Sequence, residues 1–127
     1  MADIIDASVL IDCLRGVPEA QEHLRAASSQ GPLTTHFVAA AEVITGARNR
    51  SELKGATGLL RRFEMVPTNE SDSVHSLRLL RRHRLAGGVG WPDCLIAATC
   101  LRLGHTIVTL NDKHFRVFRG LRVIRPY

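Results

Sequence analysis

The chain has 127 residues, of which 45% are hydrophobic and 23% are charged, a composition typical of a globular protein that buries its own core. It contains no apolar run long enough to span a bilayer and no signal-peptide pattern, so we expect a cytoplasmic protein without membrane contact. The formal net charge of +5 comes almost entirely from arginine. This excess indicates an acidic or polyanionic partner, although codon bias in a GC-rich genome would also produce it.

Short β-branched runs alternate along the chain with longer helical patterns. We predict strands at residues 3–6, 33–35, 65–66, 106–110 and 121–124. We predict helices at residues 8–15, 18–28, 37–48, 51–63, 71–83 and 92–103, with a glycine-rich loop at 85–90. The boundaries follow from Pro18 in a first helical turn, Ser51 as an N-cap and Gly104 as a C-cap. Strands separated by helices pair in parallel through right-handed crossovers, which predicts a single three-layer α/β/α domain over residues 1–127 with a central parallel sheet.

The cysteines and histidines offer no metal site. Cys13, Cys94 and Cys100 are odd in number, lack a CxxC spacing and lie in apolar helical segments. We expect reduced core thiols rather than zinc ligands or disulfides. The six histidines form no pair at the spacing of metal ligands on a helix.

Four acidic residues open or interrupt apolar segments at widely separated points of the chain. Asp6 ends the first strand and Asp112 follows the fourth, while Asp93 opens the helix before the fourth strand and Glu42 lies in the helix after the second. In a parallel sheet, functional groups gather beyond the carboxyl ends of the strands, so we expect these acids to converge there. Converging carboxylates repel each other unless a cation binds between them, which predicts a site for Mg²⁺ or Mn²⁺.

Each acid taken alone has a structural alternative. Asp6 and Asp93 would suit helix N-caps, and Asp112 would suit a turn after Asn111. Glu42 is flanked by alanine, valine and isoleucine, so an ordinary solvated role requires one narrow polar stripe on its helix.

For some other polar residues the sequence allows both a functional and a structural interpretation, and for the rest it indicates an ordinary surface position. Ser8 either caps the first helix or places its hydroxyl beside Asp6, where it would contact a metal-bound water or a phosphate. Trp91 either anchors a loop on the core or stacks on a base. The basic residues of the fifth and fourth helices form either solvated faces or phosphate tracks: Arg78, Arg81, Arg82, His83 and Arg84, with Arg61 and Arg62. The remaining acids are expected to be solvated: Asp12, Glu19, Glu22, Glu52, Glu64, Glu70 and Asp72.

The first two acids stand in segments that resemble motifs of PIN-domain ribonucleases, in the form found in VapC-type toxins of toxin–antitoxin pairs. Residues 4–12 combine a hydrophobic strand, Asp6, a small residue, Ser8 and an aliphatic run. Glu42, followed by Gly46 one helical turn on, resembles the second motif of the same proteins.

The other two acids extend this resemblance to essentially the whole chain, in the expected order. Asp93 precedes an Ile-Ala-Ala sequence, as in the third motif. Residues 109–115 resemble the fourth motif, whose functional position is an asparagine in some members and an aspartate in others. Asn111 and Asp112 are adjacent here, and we prefer Asp112 for that position.

The resemblance implies a Mg²⁺-dependent endoribonuclease, with Mn²⁺ as a substitute, that cleaves RNA phosphodiester bonds with a metal-activated water. By motif, Asp6, Glu42 and Asp93 take the metal-binding acid roles. We expect the metal to bind through Asp6 and Asp93, with Glu42 and Asp112 completing the acidic cluster and Glu42 orienting the attacking water. Asn111 supports a ligand or positions a water. Nearby arginines would hold the RNA backbone.

The resemblance also implies a cognate VapB-type antitoxin, and we expect one of its segments to lie across the acidic edge. We expect the chain itself to form a two-fold homodimer. Two alternatives stay open: a PIN-domain nuclease that acts in RNA processing or on DNA flaps, and a non-catalytic nucleic-acid-binding module on a related sheet. The presence of all four acids favours a nuclease over a binding module.

Overall fold

The computed structural model describes residues 2–127, so Met1, the first residue of the predicted domain, lies outside the described part. The strands are β1 (Asp3–Ile5), β2 (Leu33–His36), β3 (Phe63–Val66), β4 (Thr106–Val108) and β5 (Arg122–Ile124). The helices are α1 (Ala7–Leu14), α2 (Pro18–Gln30), α3 (Phe37–Thr45), α4 (Arg50–Leu60), α5 (Glu70–Gly87), α6 (Trp91–Leu103) and α7 (Asp112–Phe115).

The five strands form one parallel sheet in the order β3-β2-β1-β4-β5. The chain reverses its direction across the sheet after β3, and crossovers are right-handed, so α1–α4 cover one face and α5–α7 the other. The predicted three-layer α/β/α architecture with a central parallel sheet is thereby confirmed. In the register of the two central strands, Ile5 pairs with Val108, which brings the carboxyl ends of β1 and β4 side by side.

The core lies between the sheet and its two helical layers. Ile4, Ile107 and Val108 of the central strands are buried. The prediction of reduced core thiols is confirmed for Cys94 and Cys100, which are free and buried; burial raises the pKa of the Cys100 thiol to about 12. In the part of the chain that the structure describes, no helix has both the length and the apolar character to cross a membrane.

Several element boundaries differ from the prediction because side chains cap the helices at other positions. Asn49, rather than Ser51, caps α4 by accepting a hydrogen bond from the Glu52 backbone N–H at 2.9 Å. Helix α5 runs on to Gly87 and ends only at Gly88, whose φ of 64° suits glycine. The predicted loop at 85–90 is therefore shorter.

The prediction that Asp72 is solvated is wrong. Its side chain is only 1% exposed and pairs with Arg102, whose Nε lies 2.7 Å from Oδ1. Asp72 also completes a capping box with Asn69 at the start of α5. The buried carboxylate is stable there because the guanidinium and the backbone N–H both donate to it, and these bonds lower the pKa of Asp72 against the opposing effect of burial.

The basic face of α5 divides into residues with different surroundings. Arg84 donates to the backbone oxygens of Gly88 and Val89 at the end of the helix, and the ring of His83 packs edge-on against Phe118. Arg78, Arg81 and Arg82 are exposed. Trp91 is not in a loop but begins α6, and its indole N–H donates to Ser76 at 2.9 Å.

Candidate active site

Asp6 lies at the carboxyl end of β1, at the centre of the sheet. Its backbone N–H donates to Val108 at 2.9 Å, which continues the pairing of β1 with β4 by one residue. Asp6 occupies the N-cap position of α1, but its side chain does not cap that helix. The carboxylate instead accepts hydrogen bonds on Oδ2 from Thr109 at 2.7 Å and from Ser8 at 3.2 Å. The hydroxyl of Ser8 thus lies beside Asp6, which is the second of the two positions that the sequence allowed for it.

Thr109 is a site residue that sequence reasoning missed. It is fully buried, and besides bonding Asp6 it accepts the backbone N–H of Asn111 at 3.0 Å. Ser8 accepts the N–H of Leu110 at 3.0 Å. The two hydroxyls therefore hold the segment after β4 against Asp6. The only sequence signal was the position of Thr109 at the end of β4, within the fourth motif.

Glu42 and Asp93 approach Asp6 from two helices. Glu42 lies in α3, on an exposed side of the helix next to the exposed Ala41, while Val43 is buried. Asp93 lies in the first turn of α6, but the N-cap is Gly90. The capping alternative for Asp93 is thus wrong. The exposed side of α3 around Glu42 is largely apolar, with Phe37 and Ile44 exposed beside it, so Glu42 does not lie in a polar stripe.

The electrostatics of these three carboxylates show that the fold brings them together. Partial burial of its carboxyl group raises the pKa of Glu42 to about 7, and repulsion from Asp6 and Asp93 adds to this rise. The residue taken as a whole is exposed. Burial and then repulsion from Asp6 raise the pKa of Asp93 to about 6. Burial raises the pKa of Asp6 as well, against the hydrogen bonds from Thr109 and Ser8. Each carboxylate is therefore harder to ionise than it would be alone.

His114 is a second residue that sequence reasoning did not select. Its Nδ1 lies 3.7 Å from Oδ2 of Asp93, close enough to lower the pKa of that carboxyl in part. His114 is carried by α7, which follows the segment that Thr109 holds. The residue was visible in the fourth motif, but nothing in its spacing indicated contact with an acid of another helix.

Asp112 has a different environment from the other three acids. It ion-pairs with Arg116 at 3.3 Å and with Arg125 at 3.0 Å, and the Arg125 bond is the main reason that the pKa of Asp112 is lowered. The repulsion that raises the pKa of Glu42 and Asp93 does not come from Asp112. Asp112 begins α7, and Asn111 stands exposed at the N-cap position.

The donor set suits a hard cation held partly through water. Within residues 2–127, no three histidine, cysteine, aspartate or glutamate side chains lie close enough to enclose a metal ion by themselves. Asp6, Glu42 and Asp93 supply carboxylate oxygens; burial raises the pKa of all three, and repulsion from Asp6 adds to the rise for Glu42 and Asp93. Mg²⁺ keeps several waters and binds through one or two carboxylates, so this arrangement fits Mg²⁺ better than a metal that needs an all-protein cage.

A parallel α/β/α sheet with acids at the carboxyl ends of its central strands defines the class of PIN domains, and the PIN domain model matches residues 4–121. The chain belongs to the PIN-domain family, in the branch of the VapC proteins. Ribonuclease VapC10 of Mycobacterium tuberculosis is 36% identical over 120 residues, which are 94% of this chain and 90% of the relative. Ribonuclease VapC19 of the same organism is 29% identical over 121 residues, 94% of this chain and 96% of the relative.

Solved structures show the same fold. A toxin–antitoxin complex from Klebsiella pneumoniae contains a chain that is 25% identical, with a TM-score of 0.79 and coverage of 100% of this chain and 98% of that one. A DNA-bound VapBC complex from Salmonella typhimurium contains one that is 20% identical, with a TM-score of 0.81 and coverage of 100% and 99%. The resemblance inferred from the four motifs is thereby confirmed.

Proposed function

We propose that this chain is a Mg²⁺-dependent endoribonuclease toxin of the VapC type, which Mn²⁺ also activates. The observation that carries the proposal is the nearness of Asp6, Glu42 and Asp93 at one edge of the sheet, where burial raises the pKa of all three and repulsion from Asp6 adds to the rise for Glu42 and Asp93. Such perturbed groups cluster at functional sites. The relatives named as ribonucleases support an RNA substrate, and this substrate together with the reduced thiols supports a cytoplasmic location.

In this proposal Asp6 and Asp93 would hold the metal, and a divalent ion there would lower the pKa of water and supply positive charge to the scissile phosphate. Thr109 and Ser8 orient Asp6 through their hydrogen bonds to Oδ2. Glu42, whose pKa is about 7, is poised near neutral pH to orient the attacking water and accept its proton.

We assign Asp112 to positioning rather than to metal binding, because Arg116 and Arg125 already neutralise its carboxylate. The Arg125 guanidinium also donates to the backbone oxygen of Leu110 at 2.8 Å, so the pair holds the segment between β4 and α7. Asn111, exposed at the start of α7, is the better candidate for contact with the RNA.

The nuclease proposal is tested with single-stranded RNA and purified protein. We expect cleavage with Mg²⁺ or Mn²⁺, no cleavage with EDTA, and no cleavage by Asp93→Asn, which should fold at least as stably because it loses a repelling charge. Glu64→Gln is the matched control, since Glu64 is an exposed acid on β3. A folded Asp93→Asn protein with full activity would remove Asp93 from the site.

The partner in this proposal is a VapB-type antitoxin, as the toxin–antitoxin complexes with the same fold suggest. A cavity of about 250 Å³ opens between α1, α3 and α4, lined by Ile11, Leu14 and Val43 among others. Leu14 is 40% exposed. A helix of the antitoxin would cover these apolar groups and extend a basic side chain to Glu42 on the same helix as Val43.

The partner proposal is tested by expression with and without the neighbouring reading frame. The wild-type chain alone should arrest growth, and arrest should disappear with Asp6→Ala or with the co-expressed antitoxin. Size measurement of the purified chain should show the two-fold homodimer that we also propose. A harmless wild-type chain without a co-purifying small protein would instead favour the alternative, a PIN-domain nuclease of RNA processing or of DNA flaps.

A further inference from the structure

A chain of hydrogen bonds inside the protein joins the helices that carry the proposed site. It consists of His36, Thr99, Asp72 and Arg102, and we call it the His36 relay. His36 ends β2 and is fully buried, and Thr99 is 1% exposed. None of the four relay residues belongs to the acidic cluster.

The protonation state of His36 follows from the partners of its two ring nitrogens. Its Nδ1 accepts the backbone N–H of Val38 at 3.0 Å and so caps α3. The ring proton of the neutral imidazole must therefore be on Nε2, which lies 2.9 Å from the hydroxyl oxygen of Thr99 and 3.3 Å from that of Thr68. Burial lowers the pKa of His36 to about 4, against attraction from Asp72, so the ring is neutral near pH 7.

The relay continues in one direction from Thr99 to a buried charge. Having accepted from His36, the Thr99 hydroxyl has one proton to donate, and it shares this proton between Oδ2 of Asp72 and the Leu95 backbone oxygen, each 3.0 Å away. Arg102 holds Asp72 with two bonds, at 2.7 and 2.9 Å. Each donor thus has an acceptor, and the relay ends in an ion pair at the edge of the core.

The relay connects the supports of the three acids. His36 begins the helix that carries Glu42, and Thr99 lies on the helix that carries Asp93. The residue before His36, Thr35, donates its hydroxyl proton to the backbone oxygen of Ile5 at 2.7 Å, directly before Asp6. The hydrogen bond between His36 and Thr99 is therefore a direct polar link between α3 and α6.

We infer that His36 is a positioning residue for the acidic site: its bond to Thr99 sets α3 against α6, and with them the separation of Glu42 and Asp93. The inference rests on the proposed function, because its expected consequence is a change in metal binding. Mg²⁺ demands near-ideal octahedral geometry, so a small displacement of one carboxylate weakens its hold. His36 touches neither metal nor RNA and acts only through the two helices.

Two substitutions of His36 separate the bond of Nδ1 to α3 from the bond of Nε2 to Thr99. His36→Asn places an amide oxygen near the position of Nδ1, which keeps the cap of α3, but it is too short to reach Thr99. His36→Gln places an amide nitrogen near the position of Nε2, which keeps the bond to Thr99 and loses the cap. Thr99→Val and Thr99→Ser repeat the comparison from α6, because only serine retains the hydroxyl.

The measurements are Mn²⁺ affinity by calorimetry, single-turnover cleavage as a function of RNA concentration, and crystal structures of the folded variants. We expect His36→Asn and Thr99→Val to bind Mn²⁺ about tenfold or more weakly, the size of effect typical when a group that orients a metal ligand is lost. The maximal rate should fall with an unchanged half-saturating RNA concentration, and α3 should be displaced relative to α6. His36→Gln and Thr99→Ser should stay near the wild type.

Equal Mn²⁺ affinity in His36→Asn and the wild type, or equal losses in the Asn and Gln variants, would overturn the inference. If His36→Asn does not fold, the comparison of Thr99→Val with Thr99→Ser gives the same decision. A wild-type protein that neither binds Mn²⁺ nor cleaves RNA would refute the proposed function instead. In that case the separation of α3 and α6 in the variant structures would still decide whether His36 sets it.

Discussion

At the scale of single residues, the balance between repulsion and hydrogen bonding decides what each acid of the site can do. Asp6 is buried but receives two hydroxyl protons. Asp93 has a contact with His114 at 3.7 Å. Glu42 is the residue on which both other carboxylates act. The same fold therefore makes one carboxylate that hydroxyl groups support and two whose pKa values are raised to about 6 and 7.

A pH-dependent difference in stability follows for Glu42→Gln in metal-free protein. A folded-state pKa of about 7 lies above the unfolded value, so the folded state binds more protons and wild-type stability falls as the pH rises from about 4.3 to 7. The variant lacks this loss. Its melting temperature relative to wild type should therefore rise across this range and level off above it.

The comparison at equal pH removes the effect of His36, whose lowered pKa of about 4 acts in the opposite sense. Its folded state binds fewer protons, so its contribution is lost as the pH falls from about 6.5. Cleavage by Glu42→Gln should be lost throughout. A variant that melts lower than wild type at pH 7 yet retains metal-dependent cleavage would show that Glu42 is a structural carboxylate.

At the scale of elements, α5 and α6 are joined by the pair of Asp72 and Arg102. Arg102→Met should destabilise the protein by about 3 kcal/mol, because it leaves a carboxylate that is 1% exposed without its cation. Asp72→Asn should cost less, since the Arg102 side chain is 34% exposed and reaches water. Urea unfolding of both variants measures the difference, and equal costs would contradict this account.

The pair of Asp72 and Arg102 also makes the stability of the fold fall at low pH. The lowered pKa of Asp72 means that the folded state binds fewer protons than the unfolded state. Its stabilisation is present above the unfolded pKa of about 3.9 and is lost as the pH falls through the folded value. The loss should be absent from Asp72→Asn.

At the scale of the whole molecule, the net charge is +5, and the arginines that produce it differ in whether they form ion pairs. Arg25 and Arg48 pair with neighbouring glutamates on the surface. Arg78, Arg81 and Arg82 surround a shallow surface hollow on α5 and make no ion pair with other described residues. We propose that these three hold RNA phosphates.

Replacing Arg78, Arg81 and Arg82 together by glutamine should weaken RNA binding and reduce its salt dependence. Three lost phosphate contacts on a single strand should make the slope of log affinity against log salt shallower by about 2. Binding is measured with catalytically inactive Asp93→Asn protein as the background. The control replaces Arg25 and Arg48 by glutamine, and an equal change in slope per arginine removed in both sets would show that only net charge matters.

The sequence by itself determined the parts of this protein that depend on neighbours along the chain. Alternating apolar runs placed all five strands, and the motifs around Asp6, Glu42 and Asp93 identified the family. The ends of the helices were harder to predict, because they depend on which side chain accepts a hydrogen bond from the first backbone N–H groups. Asn49 caps α4, although Ser51 is an equally suitable type.

Only the tertiary structure decided which distant groups meet. Asp6 and Thr109 bond across 103 positions of sequence, and Asp72 and Arg102 across 30; neither pair leaves a local signal. For this reason the sequence predicted a solvated Asp72, and it gave no sign that Arg116 and Arg125 pair with Asp112. Periodicity reports which face of an element is buried, whereas the partner of a buried charge is set by the packing of elements that the chain brings together from far apart.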